Sequence, residues 1–162
     1  MAHLDRYKKT GGFLQLLTLI ESFAPVKREK FLALIETENQ TWSAALRQKL
    51  LTPEKIFNWP PHIWAEIVPK VPVNILVIAI HDLQPAEIHR LLSGLPNTEC
   101  RKIQLEKDVA KPTPNEIITT QQKIVETVRK MVTEGELRLE QFDSSILIDE
   151  RFEETLLQAT KT

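Results

Sequence analysis

Cysteine, glycine and aromatic residues are all scarce in this chain of 162 residues. The single cysteine, Cys100, has no partner for an intrachain disulfide, which fits a reducing cytoplasm. Four glycines and 6% aromatic residues disfavour an all-β barrel and a glycine-rich nucleotide-binding loop. Because the longest apolar run covers only residues 74–80, no transmembrane helix is expected. Residues 1–12 also lack the apolar core of a signal peptide.

Charge is nearly balanced, with 21 basic and 22 acidic residues and a formal net charge of -1. This balance argues against general electrostatic attraction to nucleic acid or to an anionic membrane surface. Partner binding is therefore expected to depend on apolar surface rather than on salt. With 42% hydrophobic residues, the chain can bury the cores of one or two small domains.

The 10 prolines punctuate the chain, and several stand at the start of apolar segments with helical spacing. Proline is tolerated at the first helical position because its missing N–H would have no intrahelical partner there. Most of the predicted helices are short and must be held by packing. They cover residues 13–23, 26–37, 42–51, 53–58, 61–68, 73–81, 85–92, 98–108, 114–133 and 150–159.

The longest predicted helix lies within residues 113–139 and has signals at both ends. Thr113 can cap its start, Pro114 suits its first turn, and Gly135 suits its stop. Two rows of apolar residues fall on neighbouring parts of one face, so the helix is expected to close a helical domain. The rows are Ile117, Ile124, Val128 and Met131, and Ile118, Val125 and Val132.

Residues 71–80 are the one segment that could instead be a buried strand, since Val and Ile favour strands. The sequence offers no second apolar strand to pair with it, so a helix is expected. The expected fold class is all-α. It is an armadillo-like, right-handed superhelical stack of short helices closed by one long C-terminal-side helix.

The sequence contains no HExxH, paired CxxC, GxxxxGK[ST], GxSxG or GxGxxG pattern. His81, Asp82 and His89 are the nearest approach to a polar cluster, and they are interpreted as surface residues near a turn. Cys100 stands beside two basic residues, which can activate a thiol, but it is interpreted as a partly buried, inert side chain. Neither a metal nor a cofactor is predicted.

Aromatic and acidic residues give little support for catalysis. Trp42, Trp59 and Trp64 could form an aromatic binding patch, but each adjoins apolar helical positions, so core filling is expected for at least two. The adjacent acids Glu153 and Glu154 point apart on a helix, so they do not form an acid–base pair. The protein is therefore not expected to be an enzyme.

Four segments from Gly11 onward resemble, in order, the C-terminal half of the FliG family of flagellar motor-switch proteins. The first helix of the family's armadillo unit is similar to GGFLQLLTLIES, and the segment after it is similar to FLALIETENQTWSAALRQKLLTPEKIF. Later helices of the family are similar to ILVIAIHDLQPAEIHRLLSGLPNTE and, at the closing helix, to QQKIVETVRKMVTEGELRL. The order, the spacing and the final TEGELRL carry the resemblance over residues 11–139.

The resemblance implies a division of the chain into four parts. Residues 1–12 would be a flexible arm, loosened by Gly11 and Gly12. Residues 13–51 would form an armadillo-like unit, and residues 52–139 a helical domain of the FliG C-terminal type. Residues 140–162 would be a C-terminal extension with a short amphipathic helix.

In function, the resemblance implies a non-enzymatic rotor component in the cytoplasm, peripheral to the inner membrane through a partner. The family carries a ridge of charges that faces the membrane-embedded stator, and its armadillo faces stack on other switch subunits. The ridge matches residues 60–69 here, where both acidic positions hold proline and the basic positions hold Ala65, Glu66 and Pro69. The expected function is that of a flagellar rotor or switch component, or of a divergent paralogue that lacks the usual torque charges.

This interaction module is expected to bind proteins. The partners would be flagellar switch or basal-body components, or other copies of the chain. Neither nucleic acid nor direct membrane insertion is expected. The candidate partner-binding residues are Leu51, Ile56, Trp59, His62, Trp64, Glu66, Lys70, Phe152, Leu156 and Leu157. The family's flexible hinge matches Leu50, Leu51, Thr52 and Pro53, where the proline should stiffen it.

One other function fits the sequence. Residues 83–95, with Pro96 after them, follow the pattern LxPxEIxxLLxxLP, which helical regulatory domains of magnesium transporters also use. A regulatory or adaptor domain with the same fold and no flagellar role is the alternative. For the C-terminal helix, packing on the chain's own core and docking on another chain both remain open.

Overall fold

The computed structural model describes residues 3–160, which contain ten α-helices, four 3-10 turns and no strand. The helices are α1 (Gly12–Glu21), α2 (Pro25–Glu38), α3 (Gln40–Lys49), α4 (Pro53–Phe57), α5 (Pro61–Ile67), α6 (Val73–Ala79), α7 (Pro85–Leu92), α8 (Asn97–Val109), α9 (Pro114–Thr133) and α10 (Glu150–Thr160). The turns are Asp5–Tyr7, Val68–Lys70, Leu139–Gln141 and Ser144–Ile146. The predicted all-α class is confirmed, and the segment that could have been a strand contains α6.

Local signals account for most helix starts. Five helices begin at a proline. For α4, α5, α7 and α9 this was predicted, whereas α2 begins at Pro25, one residue before its predicted start. The helix α3 starts before its predicted residue Trp42, because the Asn39 side chain accepts the Trp42 N–H at 3.1 Å. At α9, Thr113 Oγ1 accepts the Glu116 N–H at 3.2 Å, and the Glu116 carboxylate accepts the Thr113 N–H at 3.3 Å. This reciprocal pair satisfies two amide groups that have no partner inside the helix.

The chain folds as two compact units: Met1–Leu51 together with Leu139–Thr162, and Thr52–Arg138. The first unit thus contains both ends of the chain, and the second contains the residues between them. The C-terminal segment belongs to the first unit, whereas the sequence suggested an extension of its own. Residues 1–2 and 161–162, the outer ends of the predicted arm and extension, lie outside the described residues.

Leu50, Leu51, Thr52 and Pro53, the predicted hinge residues, lie between α3 and the first turn of α4. Leu50 and Leu51 are buried, and the Leu51 N–H donates to the Glu21 carboxylate at 2.7 Å. Thr52 Oγ1 accepts the Lys55 N–H at 3.3 Å, and Pro53 is the first residue of α4. The proline fixes its own φ angle, and the stiffness of the connection stays a prediction.

Residues 3–12 pack against the first unit, where the sequence suggested a flexible arm. Leu4 and Tyr7 are buried in its core. The N–H groups of His3 and Leu4 donate to the Glu38 carboxylate at 2.7 Å and 3.2 Å. The His3 amide is the main reason that the pKa of Glu38 lies below its ordinary value, because these bonds favour the charged form. The two amides and the buried leucine thus hold the segment down.

The C-terminal helix α10 packs on the core of the first unit. The Phe152 ring meets the Phe13 ring edge-on, with centroids 5.2 Å apart, and Leu156 is only 4% exposed. The Glu153 carboxylate accepts the N–H of Gly11. Of the two arrangements left open by the sequence, the structure shows the helix against its own chain.

Lys49 fastens the segment before α10. The side chain is 7% exposed, and its Nζ donates to the Ser145 carbonyl at 2.8 Å. The same Nζ lies 4.7 Å from the centroid of the Phe152 ring, a cation–π distance. Burial lowers the pKa of Lys49 from its ordinary value of 10.5, and the charge of Asp149 opposes that shift in part.

In the second unit, the long helix α9 packs against α6 and α4, and α6 also contacts α8. Ile124 and Val128 of α9 are buried, and Gln121 Nε2 donates to the Ala79 carbonyl at 3.0 Å. The buried Trp64 ring stacks on Phe57 with centroids 5.7 Å apart. The helix α9 is thus the element against which α4 and α6 pack, as its wide apolar face predicts.

Arg90 ties α7 to the turn between α4 and α5. Its Nη1 donates to the Trp59 carbonyl at 3.1 Å, and its Nη2 donates to the Phe57 carbonyl. Trp64 Nε1 donates to the Ile56 carbonyl at 2.9 Å. Three carbonyls near the end of the short α4 therefore find partners outside the helix.

The free energy of unfolding should depend on pH through Lys49. The lowered pKa means that the folded protein gives up this proton before the unfolded chain does. Stability should therefore rise as the pH increases toward 10.5, because the unfolded chain then binds more protons than the folded one. Urea unfolding from about pH 8 upward, compared between the natural protein and Lys49→Met, isolates this contribution. Parallel curves for the two proteins would contradict the assignment.

Phe152→Ala should lower the free energy of unfolding by about 2 kcal/mol, less than for a fully buried phenylalanine because Phe152 is half-buried. Gln158→Ala, at an exposed position of the same helix, is the matched control and should change little. Urea unfolding gives the energies, and light scattering gives the mass of each variant. A loss of self-association at unchanged stability would show instead that Phe152 docks on another chain.

Candidate protein-interaction surfaces

The histidines and the cysteine do not converge on one site. His81 Nε2 lies 3.2 Å from the Ala110 carbonyl, and its Nδ1 lies 3.5 Å from Asp82 Oδ1. His89 is exposed on α7. No group of His, Cys, Asp and Glu side chains within residues 3–160 is arranged to hold a metal ion.

Four predicted partner-binding residues lie inside the protein. Leu51, Ile56 and Trp64 have no exposed surface, and Trp59 is 3% exposed. Trp42 is also fully buried, so all three tryptophans fill cores, in agreement with the default interpretation of the sequence. A partner cannot reach these side chains in this conformation.

The other predicted residues of that region lie at the surface. His62 and Glu66 are exposed on α5, whose inner face buries Ile63 and Ile67. Lys70 follows α5 and pairs with Glu136 at 3.4 Å, with 52% and 40% of the two side chains exposed. Such an exposed pair contributes little to stability, so both side chains are available to a partner.

The predicted residues of α10 are divided between core and surface. Leu156 is buried in the core of the first unit. Phe152 and Leu157 are half-buried and pack against the same core. Their apolar face is thus occupied by the chain itself.

Sequence reasoning missed two groups of exposed apolar side chains. On α8, Leu105 is 68% exposed and Val109 is 78% exposed, while Ile103 alone is buried. On α2, Val26 and Leu34 are 69% and 49% exposed. The spacing i, i+4 of Leu105 and Val109 was the available signal, since it places them together on a side of α8 away from Ile103.

Comparison with known proteins gives one family and one solved structure. The profile of the FliG C-terminal domain matches residues 33–139, more than half of the chain. A crystal structure of FliG from H. pylori (residues 86–343) is similar with a TM-score of 0.58 and 16% sequence identity. The alignment covers 74% of this chain and 57% of that one. No curated protein matches the sequence.

The structural likeness shows the fold, and it confirms the predicted armadillo-like class. Within residues 3–160, no helix has the length and apolar character needed to cross a membrane. The matched region contains the whole of the compact unit Thr52–Arg138. The chain therefore belongs to the FliG C-terminal domain family of flagellar motor-switch proteins.

Proposed function

We propose that the protein is a non-enzymatic interaction module of the flagellar rotor, or a divergent paralogue that acts beside it. The observation that carries this proposal is the family match over residues 33–139 on an all-helical fold. Helical stacks of this kind work through the surfaces that they present to other proteins. The partners would be flagellar switch or basal-body components, or other copies of the chain.

The absence of catalysis is part of the proposal. The groups with shifted pKa values, Glu38 and Lys49, are engaged in holding the N-terminal segment and the tail. The Cys100 thiol donates to the Leu92 carbonyl at 3.2 Å. These contacts have structural explanations, so the side chains give no reason to infer a reaction.

The divergent character rests on the residues that match the family's charged ridge. Pro60 and Pro61 replace its acidic pair, and Pro61 is the first residue of α5. The exposed polar side chains that remain on α5 are His62 and Glu66. We therefore propose a cytoplasmic protein that reaches the inner membrane through a partner and does not itself generate torque.

A fluorescently labelled copy of the whole chain, produced in its native cell, tests the flagellar role. It should form foci at flagellar basal bodies and should purify with them. In cells that lack basal bodies the label should become diffuse, which is the control. Diffuse label in flagellated cells, or foci that persist without basal bodies, would contradict the proposal. Either result would favour the alternative of a regulatory or adaptor domain.

A further inference from the structure

A groove runs between α7 and α8 on the second unit. Its floor is apolar: Ile88 and Leu92 of α7 line it with only 5% and 6% of their surface exposed, and half-buried Leu95 lines it further along. The Cys100 thiol reaches across from α8 to the Leu92 carbonyl. The floor is therefore held in place without any ligand, and apolar side chains of a partner could cover it.

Two basic side chains and a histidine line the groove. Arg101 and Lys107 come from α8, and His89 comes from α7. The lining contains no carboxylate. Asp108 lies beside it, where it accepts a hydrogen bond from the lining residue Gln104 at 2.8 Å, and Glu87, Glu99 and Glu106 of the same two helices lie outside the lining. Within residues 3–160, neither Arg101 nor Lys107 forms an ion pair. Although the net charge of the chain is -1, the charged side chains in the groove lining are thus basic.

We propose that this groove docks an acidic, amphipathic segment of another protein. Carboxylates of the segment would meet Arg101 and Lys107 at the rim, and its apolar side chains would cover the floor. The apolar floor and the small number of basic groups favour a protein segment over a nucleic acid, which would need many phosphate contacts. The inference rests on the proposed role as an interaction module, but not on the flagellar identity of the partner.

Crosslinking from position 104 tests the groove directly, because exposed Gln104 lines it next to both basic residues. A photoreactive amino acid replaces Gln104 in the whole chain, the protein is irradiated in its native cell, and the crosslinked peptide is sequenced. The expected product is a segment with net negative charge and apolar residues at helical spacing. A non-flagellar partner with such a segment would support the groove while contradicting the flagellar role.

Charge-reversal variants measure how much the two basic side chains contribute to binding. Arg101→Glu with Lys107→Glu should reduce the crosslink yield about tenfold or more, whereas Arg101→Lys with Lys107→Arg should retain it. Lys102→Glu is the matched control, since Lys102 is exposed on α8 outside the lining. If the double variant fails to fold, the crosslink yield of Arg101→Glu alone is measured, and it should also fall. Crosslinks to a neutral or basic segment, to a second copy of this chain or to RNA would overturn the proposal. So would an absence of crosslinks, or a yield unchanged by charge reversal.

Discussion

The fold depends on the burial of apolar side chains by helices that are too short to stand alone. The helices from α4 to α7 have between 5 and 8 residues, and isolated helices shorter than about 12 residues are marginal in water. In the second unit, α9 supplies a wide apolar face over 20 residues, against which α4 and α6 pack. Side chains such as Arg90 then satisfy the carbonyls that the short helices leave open. A similar constraint acts on the first unit, where α10 completes a core that α1 and α3 share.

Most helix starts could be predicted from the sequence, because the residues that determine a start lie next to it in the chain. Prolines at first helical positions and the cap at Thr113 act within one turn of the helix, so the sequence pattern alone indicates them. The return of the tail to the first unit could not be found in this way. Its key contacts, from Lys49 to Ser145 and from Glu153 to Gly11, join residues far apart in the chain. Nothing in a single sequence reveals which distant groups will meet.

The same limit applies to the candidate surfaces, because the exposure of a side chain depends on elements that are distant in the sequence. Helical spacing identifies apolar positions such as Trp59 and Trp64, but it does not say whether other elements cover them. Trp59 and Trp64 are both buried in the structure, whereas Leu105 and Val109 are exposed. The basic lining between α7 and α8 likewise depends on the placement of two helices. The predicted surface residues His62, Glu66 and Lys70 were accessible to sequence reasoning because a polar residue beside a buried face is usually solvated.

Residues 3–51 and 139–160 form one compact unit, and residues 52–138 form another. Each unit should therefore open cooperatively. Native-state hydrogen exchange of the whole chain in low denaturant measures the opening free energy of each helix. The amides of α10 should open together with those of α1 and α3, at the same free energy and with the same dependence on denaturant. The amides of α6 and α9 should share a separate value. Exchange of α10 at the rate of an unstructured peptide, or opening of α10 together with α9, would contradict the account.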